Sequence, residues 1–392
     1  MTKIKVAHIL HCVGGVDVYL RLILENINPE LIESIVIHGI NDTQKQFYDQ
    51  NKNNVTHFNV TIFRKISLIN DASAIFSAYK IIKKERPHVI HCHSAKGGII
   101  GRIVGRLLGI NVLYTPHAFS YLSAESKWKR WFYLLIEKQF ANINSILIPT
   151  SVSELNRGIK EVGYLPQNTK LFTNSIPQIK ISKDTTIFET RSNKYICSVG
   201  RPSYQKNTEL MIRVLFEVRK TTPIDLVIIG VGHHFDRLNS VKELITELNL
   251  NDCVTLLEWS EQKKVWHIID QSQLYLSTSR YEGLPYSVIE ALSLSKPCVV
   301  SDCDGNRDLI ENEYNGFVIQ NENIEEYANK INLLLNDSKL LQRFSENATN
   351  CFNKNYDLNK NIPILEQIYI DYSLKFKEYI IFLLIFYIIL LL

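Results

Sequence analysis

Short apolar runs alternate with stretches of helical period along most of the chain. Ile4–Leu10 reads as a strand, and after Gly14-Gly15 the spacing predicts a helix over about Val16–Ile27. Ile35–His38, Val89–His93, Val112–Thr115 and Ser145–Pro149 read as further strands, with helices over Ser73–Glu85, Gly97–Leu108 and Ser126–Phe140 among them. The pattern lapses between about Phe172 and Asn193, a polar stretch that predicts a linker. It then restarts, with strands at Tyr195–Val199, Leu226–Ile229, Val254–Leu257, Leu274–Thr278, Pro297–Ser301 and Gly316–Ile319, and a helix at Thr208–Arg219. Alternation of this kind implies right-handed crossovers and parallel strands. The expected fold is α/β: two doubly wound, Rossmann-like domains facing across a cleft.

Composition narrows the class. A chain of 392 residues with 45% hydrophobic and 21% charged residues can bury its own cores. It is no disordered, collagen-like or disulfide-framework protein. The balance 44 − 40 = +4 gives no case for nucleic acid, although a local basic patch facing anionic lipid or phosphate stays open. Seven scattered cysteines, an odd number with no CxxC pair, predict reduced thiols and a cytoplasmic location. The start MTKIKVAHIL has too short an apolar run for a secretory signal and no small-residue cleavage site, so none is expected there. Tyr379–Leu392 is an unbroken apolar run of fourteen residues. As a helix it spans about 21 Å, short of the roughly 30 Å hydrocarbon core. It reads as a docked helix or, since nothing polar breaks it, as a segment entering one leaflet with Lys375 and Lys377 at the headgroups.

Ligands of doubly wound sheets bind outside the carboxyl ends of the strands, so the loops after strands carry the chemistry. Gly200-Arg201-Pro202-Ser203-Tyr204-Gln205-Lys206-Asn207 places two cations near a helix N-terminus. Cations are unfavourable there unless an anion such as a diphosphate sits between them; two solvated surface cations are the plain alternative. In Arg280–Leu292, Gly283 permits close backbone approach, and a helix is predicted from Ser287 to Leu294 with Glu290 in its first turn. Glu290 suits a ribose diol and Glu282 sugar hydroxyls, with the Ser287 and Val288 N–H groups meeting a phosphate. Ser287-x-x-Glu290 equally matches a capping box needing no ligand.

The remaining features are weaker. His117, at a strand end, suits a sugar hydroxyl or a structural role. Gly14-Gly15 open the first crossover without the GxGxxG pattern of nicotinamide binding. Lys96 could face a phosphate or nothing. Asp302-Cys303-Asp304 is a DxD triplet that reads as a loop with a helix cap at Asp304. His88, His91 and His93 alternate on a strand, but no thiol or carboxylate array completes a metal site. The helix with Trp128 and Trp131 among Lys127, Lys129 and Arg130 suits an anionic membrane, or ordinary packing on the sheet.

Taken together the loops resemble glycosyltransferase family 4, the retaining sugar-nucleotide transferases of the GT-B fold, over about residues 4–370. SRYEGLPYSVIEALSLSKPCVVSD carries the family's Glu-x7-Glu pattern at Glu282 and Glu290, and SVGRPSYQKN matches its phosphate loop. GGVDVYL, HSAKGGIIGR and YTPHAF resemble the branch that builds capsule, exopolysaccharide and lipopolysaccharide O-chains. The resemblance implies an acceptor-side domain over 1–175, a linker over 176–194 and a nucleotide-sugar domain over 195–355. A helix at 356–374 would pack back on the first domain, with the tail 375–392 as an added membrane anchor. Arg201 and Lys206 would bind the donor diphosphate, Glu290 the ribose, and Glu282 and His117 the transferred sugar. Gly14, Gly15, Gly283, Leu284, Ser287 and Val288 would line the donor. UDP is favoured as the nucleotide, and no metal or resident cofactor is expected. Ser295 departs from the family's small glycine.

The implied reaction moves a sugar to a glycan or lipid-linked saccharide at the cytoplasmic face of a membrane. The acceptor hydroxyl attacks on the leaving-group side, fixed charges stabilise the diphosphate, and domain closure joins the substrates. Two rivals stand beside it: a sugar-nucleotide epimerase of the same two-domain fold, and a non-catalytic subunit that docks a transferase to membrane, against which Arg201, Lys206, Glu282 and Glu290 together argue.

Overall fold

The computed structural model describes residues 3–63, 67–124, 126–142, 145–181, 194–232 and 237–373. The apolar tail and residues 182–193 of the expected linker lie outside the described residues. The chain divides into two compact units. The first runs through Asn174 and takes in the helix at 358–373; the second is Ser175–Asp357.

In the first unit, β1 (Ile4–Leu10), β2 (Ile32–Gly39), β3 (His57–Val60), β4 (Val89–His93), β5 (Asn111–Thr115) and β6 (Ser145–Leu147) form one sheet in the order β3-β2-β1-β4-β5-β6. Every pairing is parallel. The winding runs outward from β1 to β3 and reverses between β1 and β4, the crevice where doubly wound sheets hold ligands. β4 is buried at all five positions, histidines included. The edge strand β3 buries only Val60, so its sequence HFNV gives no strand signal.

Helices α1 (Gly15–Asn26), α2 (Leu68–Glu85), α3 (Ser94–Leu108), α4 (Lys127–Phe140) and α5 (Val152–Arg157) cover this sheet. α3 begins three residues before the expected Gly97, because its glycines form the packing face. A Cβ on Gly97 would collide with the Ile9 carbonyl, and one on Gly101 with the Cys92 sulfur. Arg102, on the same helix, is fully buried and reaches Glu137 of α4, Nη2 to Oε2, at 3.1 Å. Tyr114 donates to the other Glu137 oxygen at 2.9 Å and lies under the guanidinium at 4.1 Å. This buried pair pins the inner face of α4, whose outer face shows Trp128 at 66% and Trp131 at 59% exposure. The helix at 358–373 closes the unit: Tyr369 meets His91, and Asn111 donates to the Tyr372 carbonyl.

The second unit repeats the winding. β7 (Tyr195–Val199), β8 (Asp225–Ile229), β9 (Val254–Leu257), β10 (Tyr275–Ser277), β11 (Cys298–Ser301) and β12 (Gly316–Ile319) lie in the order β12-β11-β10-β7-β8-β9, all parallel. Its helices are α6 (Thr208–Arg219), α7 (Leu238–Glu247), α8 (Gln262–Gln271), α9 (Tyr286–Ser293), α10 (Asp304–Leu309), α11 (Ile324–Asn336) and α12 (Ser338–Asn355). Ile176 donates to the Tyr356 carbonyl at 3.1 Å, so the start of the expected linker is built into this unit beside its last residues. All seven cysteines are free thiols.

Candidate active site

The reversal in the second sheet lies between β7 and β10, and the loops that follow these strands are laced together. Thr278 donates its hydroxyl to the carbonyls of Lys206 and Asn207 at 3.1 and 3.0 Å. Arg280 donates its backbone N–H to the Gln205 carbonyl at 2.8 Å. Gln205 returns two bonds from Nε2, to the Tyr281 carbonyl and to Glu282 Oε2. Lys206 Nζ sits 2.7 Å from Glu282 Oε1. The lysine stem lies over Gly200, where a Cβ would meet Lys206 Cε at 2.9 Å. Asn207 starts α6 in the left-handed region, φ 50°, a conformation asparagine tolerates. Arg201 stands exposed at the start of the loop. Lys206 and the start of α6 therefore share this crevice, the lysine balanced by the buried carboxylate of Glu282.

Glu290 is held differently. It is the fifth residue of α9, which starts at Tyr286 rather than Ser287. Pro285 occupies the N-cap position and no side chain caps the helix, so the capping-box reading of Ser287 and Glu290 does not hold. Glu290 Oε1 instead accepts from Trp266 Nε1 at 3.0 Å and Gln262 Nε2 at 3.2 Å, both from α8. Its Oε2 has no partner among the described residues. Burial pushes the carboxyl pKa up, against the two hydrogen bonds. At the helix start the Val288 N–H turns in to the Pro285 carbonyl at 3.2 Å, so that part of the expected phosphate contact is a helix bond. The Ser287 N–H has no partner among the described residues. Gly283 is approached closely by α10, where a Cβ on Gly305 would lie 2.5 Å from the Gly283 carbonyl. Leu284 is buried beside it.

In the first unit the corresponding edge carries Gly14, Gly15 and His117. Gly14 has φ 61°, and a Cβ at Gly14 or Gly15 would meet nothing within 4 Å, so the space before them is open. His117 and Ala118 both have positive φ, 54° and 76°. That backbone is held by the buried Glu154, which accepts from the Ala118 N–H at 2.7 Å. His117 Nε2 lies 3.4 Å from His93 Nδ1, and its ring meets Tyr19 edge-on at 4.6 Å.

Several expectations need correction. Lys96 is not left open for a phosphate: its ammonium is paired with both Asp71 carboxylate oxygens at 2.5 and 2.6 Å. Asp304 is the first residue of α10 and no cap; Asp302 and Asp304 both engage Arg307, at 2.5 and 3.4 Å. His91 and His93 do gain a third imidazole, His8 from β1, which the sequence hid because it lies 83 residues away in the neighbouring strand. Their nitrogens bond chiefly to one another, to Tyr369 and to Thr115. Ser295 adopts φ 59° where the family prefers glycine, and its hydroxyl bonds Thr349 at 2.6 Å.

Comparison with known proteins matches these two units to two family models. Residues 14–160 match the glycosyl transferase 4-like domain and residues 180–350 the glycosyl transferases group 1. A UDP-Gal:alpha-D-GlcNAc-diphosphoundecaprenol alpha-1,3-galactosyltransferase of Escherichia coli is 29% identical over 386 residues, 94% of this chain and 97% of that one. Among solved structures, sucrose-phosphate synthase from Thermosynechococcus elongatus superposes with a TM-score of 0.81 at 16% identity, covering 94% of this chain and 99% of its own. HepE of Anabaena, solved with UDP and glucose, gives 0.75 at 18% identity with the same coverage. These likenesses establish the GT-B fold.

Proposed function

The chain belongs to the glycosyltransferase family matched by both of its units, and from that premise we propose that it moves a sugar from UDP to a lipid-linked saccharide during surface-polysaccharide synthesis, with retention at the anomeric carbon. The observation that carries the donor assignment is the crevice between β7 and β10. There Lys206 is tied to Glu282 on the loop that leads into the uncapped start of α9, and the same helix carries Glu290, whose Oε2 is left for a ribose hydroxyl. The E. coli relative, with its UDP-galactose donor and diphosphoundecaprenol-linked acceptor, supports the choice of nucleotide and acceptor class.

The chemistry follows from charge. As the bond between the anomeric carbon and the phosphate oxygen lengthens, negative charge collects on the diphosphate and positive charge on the sugar. Arg201, Lys206 and the Ser287 N–H stabilise the first without reorganising. Glu282, cross-linked to Lys206 and Gln205, orders the loop and offers its remaining lone pairs to sugar hydroxyls. The acceptor oxygen bonds to the anomeric carbon on the face the diphosphate leaves, and its proton passes to the departing phosphate oxygen. Gly14, Gly15 and His117 serve phosphate and sugar oxygens. No resident metal or cofactor is invoked, and Asp302 and Asp304 are engaged by Arg307.

We place the protein at the cytoplasmic membrane surface, with α4 as the contact. Glu137 fixes its inner face, while Trp128, Trp131 and the cations Lys127, Lys129 and Arg130 are exposed. Among the described residues no helix is long and apolar enough to cross a membrane.

The deciding experiment is calorimetry of the purified chain with UDP- and GDP-sugars, followed by transfer to a diphosphoundecaprenol-linked saccharide and NMR of the product's anomeric centre. UDP-sugar binding and an α-linked product from an α-linked donor are expected. Epimer formed without acceptor, or no nucleotide binding at all, would overturn the reading.

A further inference from the structure

We infer that His8 and His93 are positioning residues that hold His117 in the tautomer protonated on Nδ1, so that His117 presents a fixed hydrogen-bond donor to an oxygen of the substrate. Four imidazoles cluster in the first unit. His91 stands apart from the string, since its two nitrogens are engaged by the Tyr369 hydroxyl at 2.7 Å and the Thr115 hydroxyl at 2.9 Å. The other three form a line: His8 Nδ1 lies 3.1 Å from His93 Nε2, and His93 Nδ1 lies 3.4 Å from His117 Nε2. The inner end, His8 Nε2, is buried with no partner. The outer end is His117 Nδ1, the nitrogen left over on a half-buried ring.

Burial pushes His8 and His117 down to about 3 and lowers His93 well below the ordinary histidine value. Each ring is then neutral at cytoplasmic pH, with one N–H and one lone pair. A line of three neutral imidazoles has only two self-consistent polarities. With every proton on Nε2, His117 donates inward to His93, His93 to His8, and His8 ends on a buried N–H with nothing to accept it. With every proton on Nδ1, His8 donates to His93 and His93 to His117, and the line ends outward on the His117 Nδ1–H. The inner end then leaves only a lone pair unmet. Orphaned buried N–H groups are the rarer defect in folded proteins, which favours the second polarity.

The backbone supports a positioning role. His117 and Ala118 sit in a conformation that L-residues seldom adopt, φ 54° and 76°, held by the Ala118–Glu154 bond. Ring and main chain are thus fixed from separate directions. An outward N–H suits an acceptor oxygen, such as a phosphate, ring or glycosidic oxygen. That identity rests on the transferase reading; the tautomers do not.

Neutron diffraction from crystals of the full chain tests the inference, because deuterons on the ring nitrogens are located directly. Deuterons on Nδ1 of His8, His93 and His117 together are the expected result. Deuterons on Nε2 of all three, a mixture along the line, or a doubly protonated ring would overturn it. UDP calorimetry on the same preparation keeps the readings apart. Absent nucleotide binding with the expected tautomers sinks the donor assignment and leaves the string intact.

Discussion

Lys206 Nζ lies 2.7 Å from Glu282 Oε1, and the two residues come from loops on either side of the winding reversal in the second sheet. The cation that would meet the diphosphate is therefore aimed by the carboxylate that would meet the sugar. Replacing Lys206 by Ala should lower kcat by about 10²–10³-fold, the range for losing one preorganised charge contact, and Arg201→Ala should fall in the same direction. Because Lys206 and Glu282 act as a unit, K206A/E282A should be little worse than the weaker single variant. Steady-state kinetics on K206A, E282A, K206A/E282A and R201A decides this. Losses that multiply, or near-wild-type turnover in K206A and R201A, would remove the pair from the mechanism.

Glu290→Gln separates binding from stability. Glutamine keeps the oxygen that accepts from Trp266 and Gln262 and turns the free oxygen into a donor. UDP affinity should drop about 10- to 100-fold, the loss of one charge-assisted bond. Stability should move the other way. Burial raises the Glu290 pKa above its unfolded value, so the native state holds the proton more tightly. Wild-type stability is then lost as pH climbs from the ordinary glutamate range through the native value. Thermal melts should show E290Q gaining on wild type from about pH 4 to pH 7. Equal melting curves across that window would contradict the burial argument.

The α4 surface should bind anionic vesicles. Trp128→Ser with Trp131→Ser should weaken partition into vesicles containing anionic lipid by roughly tenfold, and raised salt should weaken wild-type binding further. UDP affinity should be unaffected, because both tryptophans lie in the first unit and the candidate donor site in the second. Sedimentation with vesicles gives the readout, and unchanged partition would move the membrane contact elsewhere.

Glu137→Ala should strand the buried Arg102 guanidinium and destabilise the first unit by about 3–5 kcal/mol, as for other broken buried pairs. Denaturant unfolding of E137A against wild type measures it. A loss under about 1 kcal/mol would mean that water reaches Arg102.

Much of the architecture was readable because buried parallel strands are continuous apolar runs. Tyr195–Val199 and Gly316–Ile319 fall where the pattern places them. β3 was hidden because an edge strand with one buried residue has no such run. The start of α3 drifted because its glycines pack against the sheet, and α9 begins one residue early because Pro285 takes the N-cap position. At the candidate donor site the residue types and loops were visible, but their partners were not. Nothing local announces that Glu290 is braced by Trp266, 24 residues earlier, or that Lys96 is spent on Asp71. His8 was missed for the same reason: its neighbours His91 and His93 are near only once β1 and β4 pair.

The helix at 358–373 belongs to the first unit although 183 residues of the second, Ser175–Asp357, come between. A ribosome delivers the second unit whole before it delivers this helix. Until then His91 lacks the Tyr369 hydroxyl that caps it, so the unit made first must be the one finished last. A fragment ending near Asn174 would be an incomplete body rather than a smaller protein.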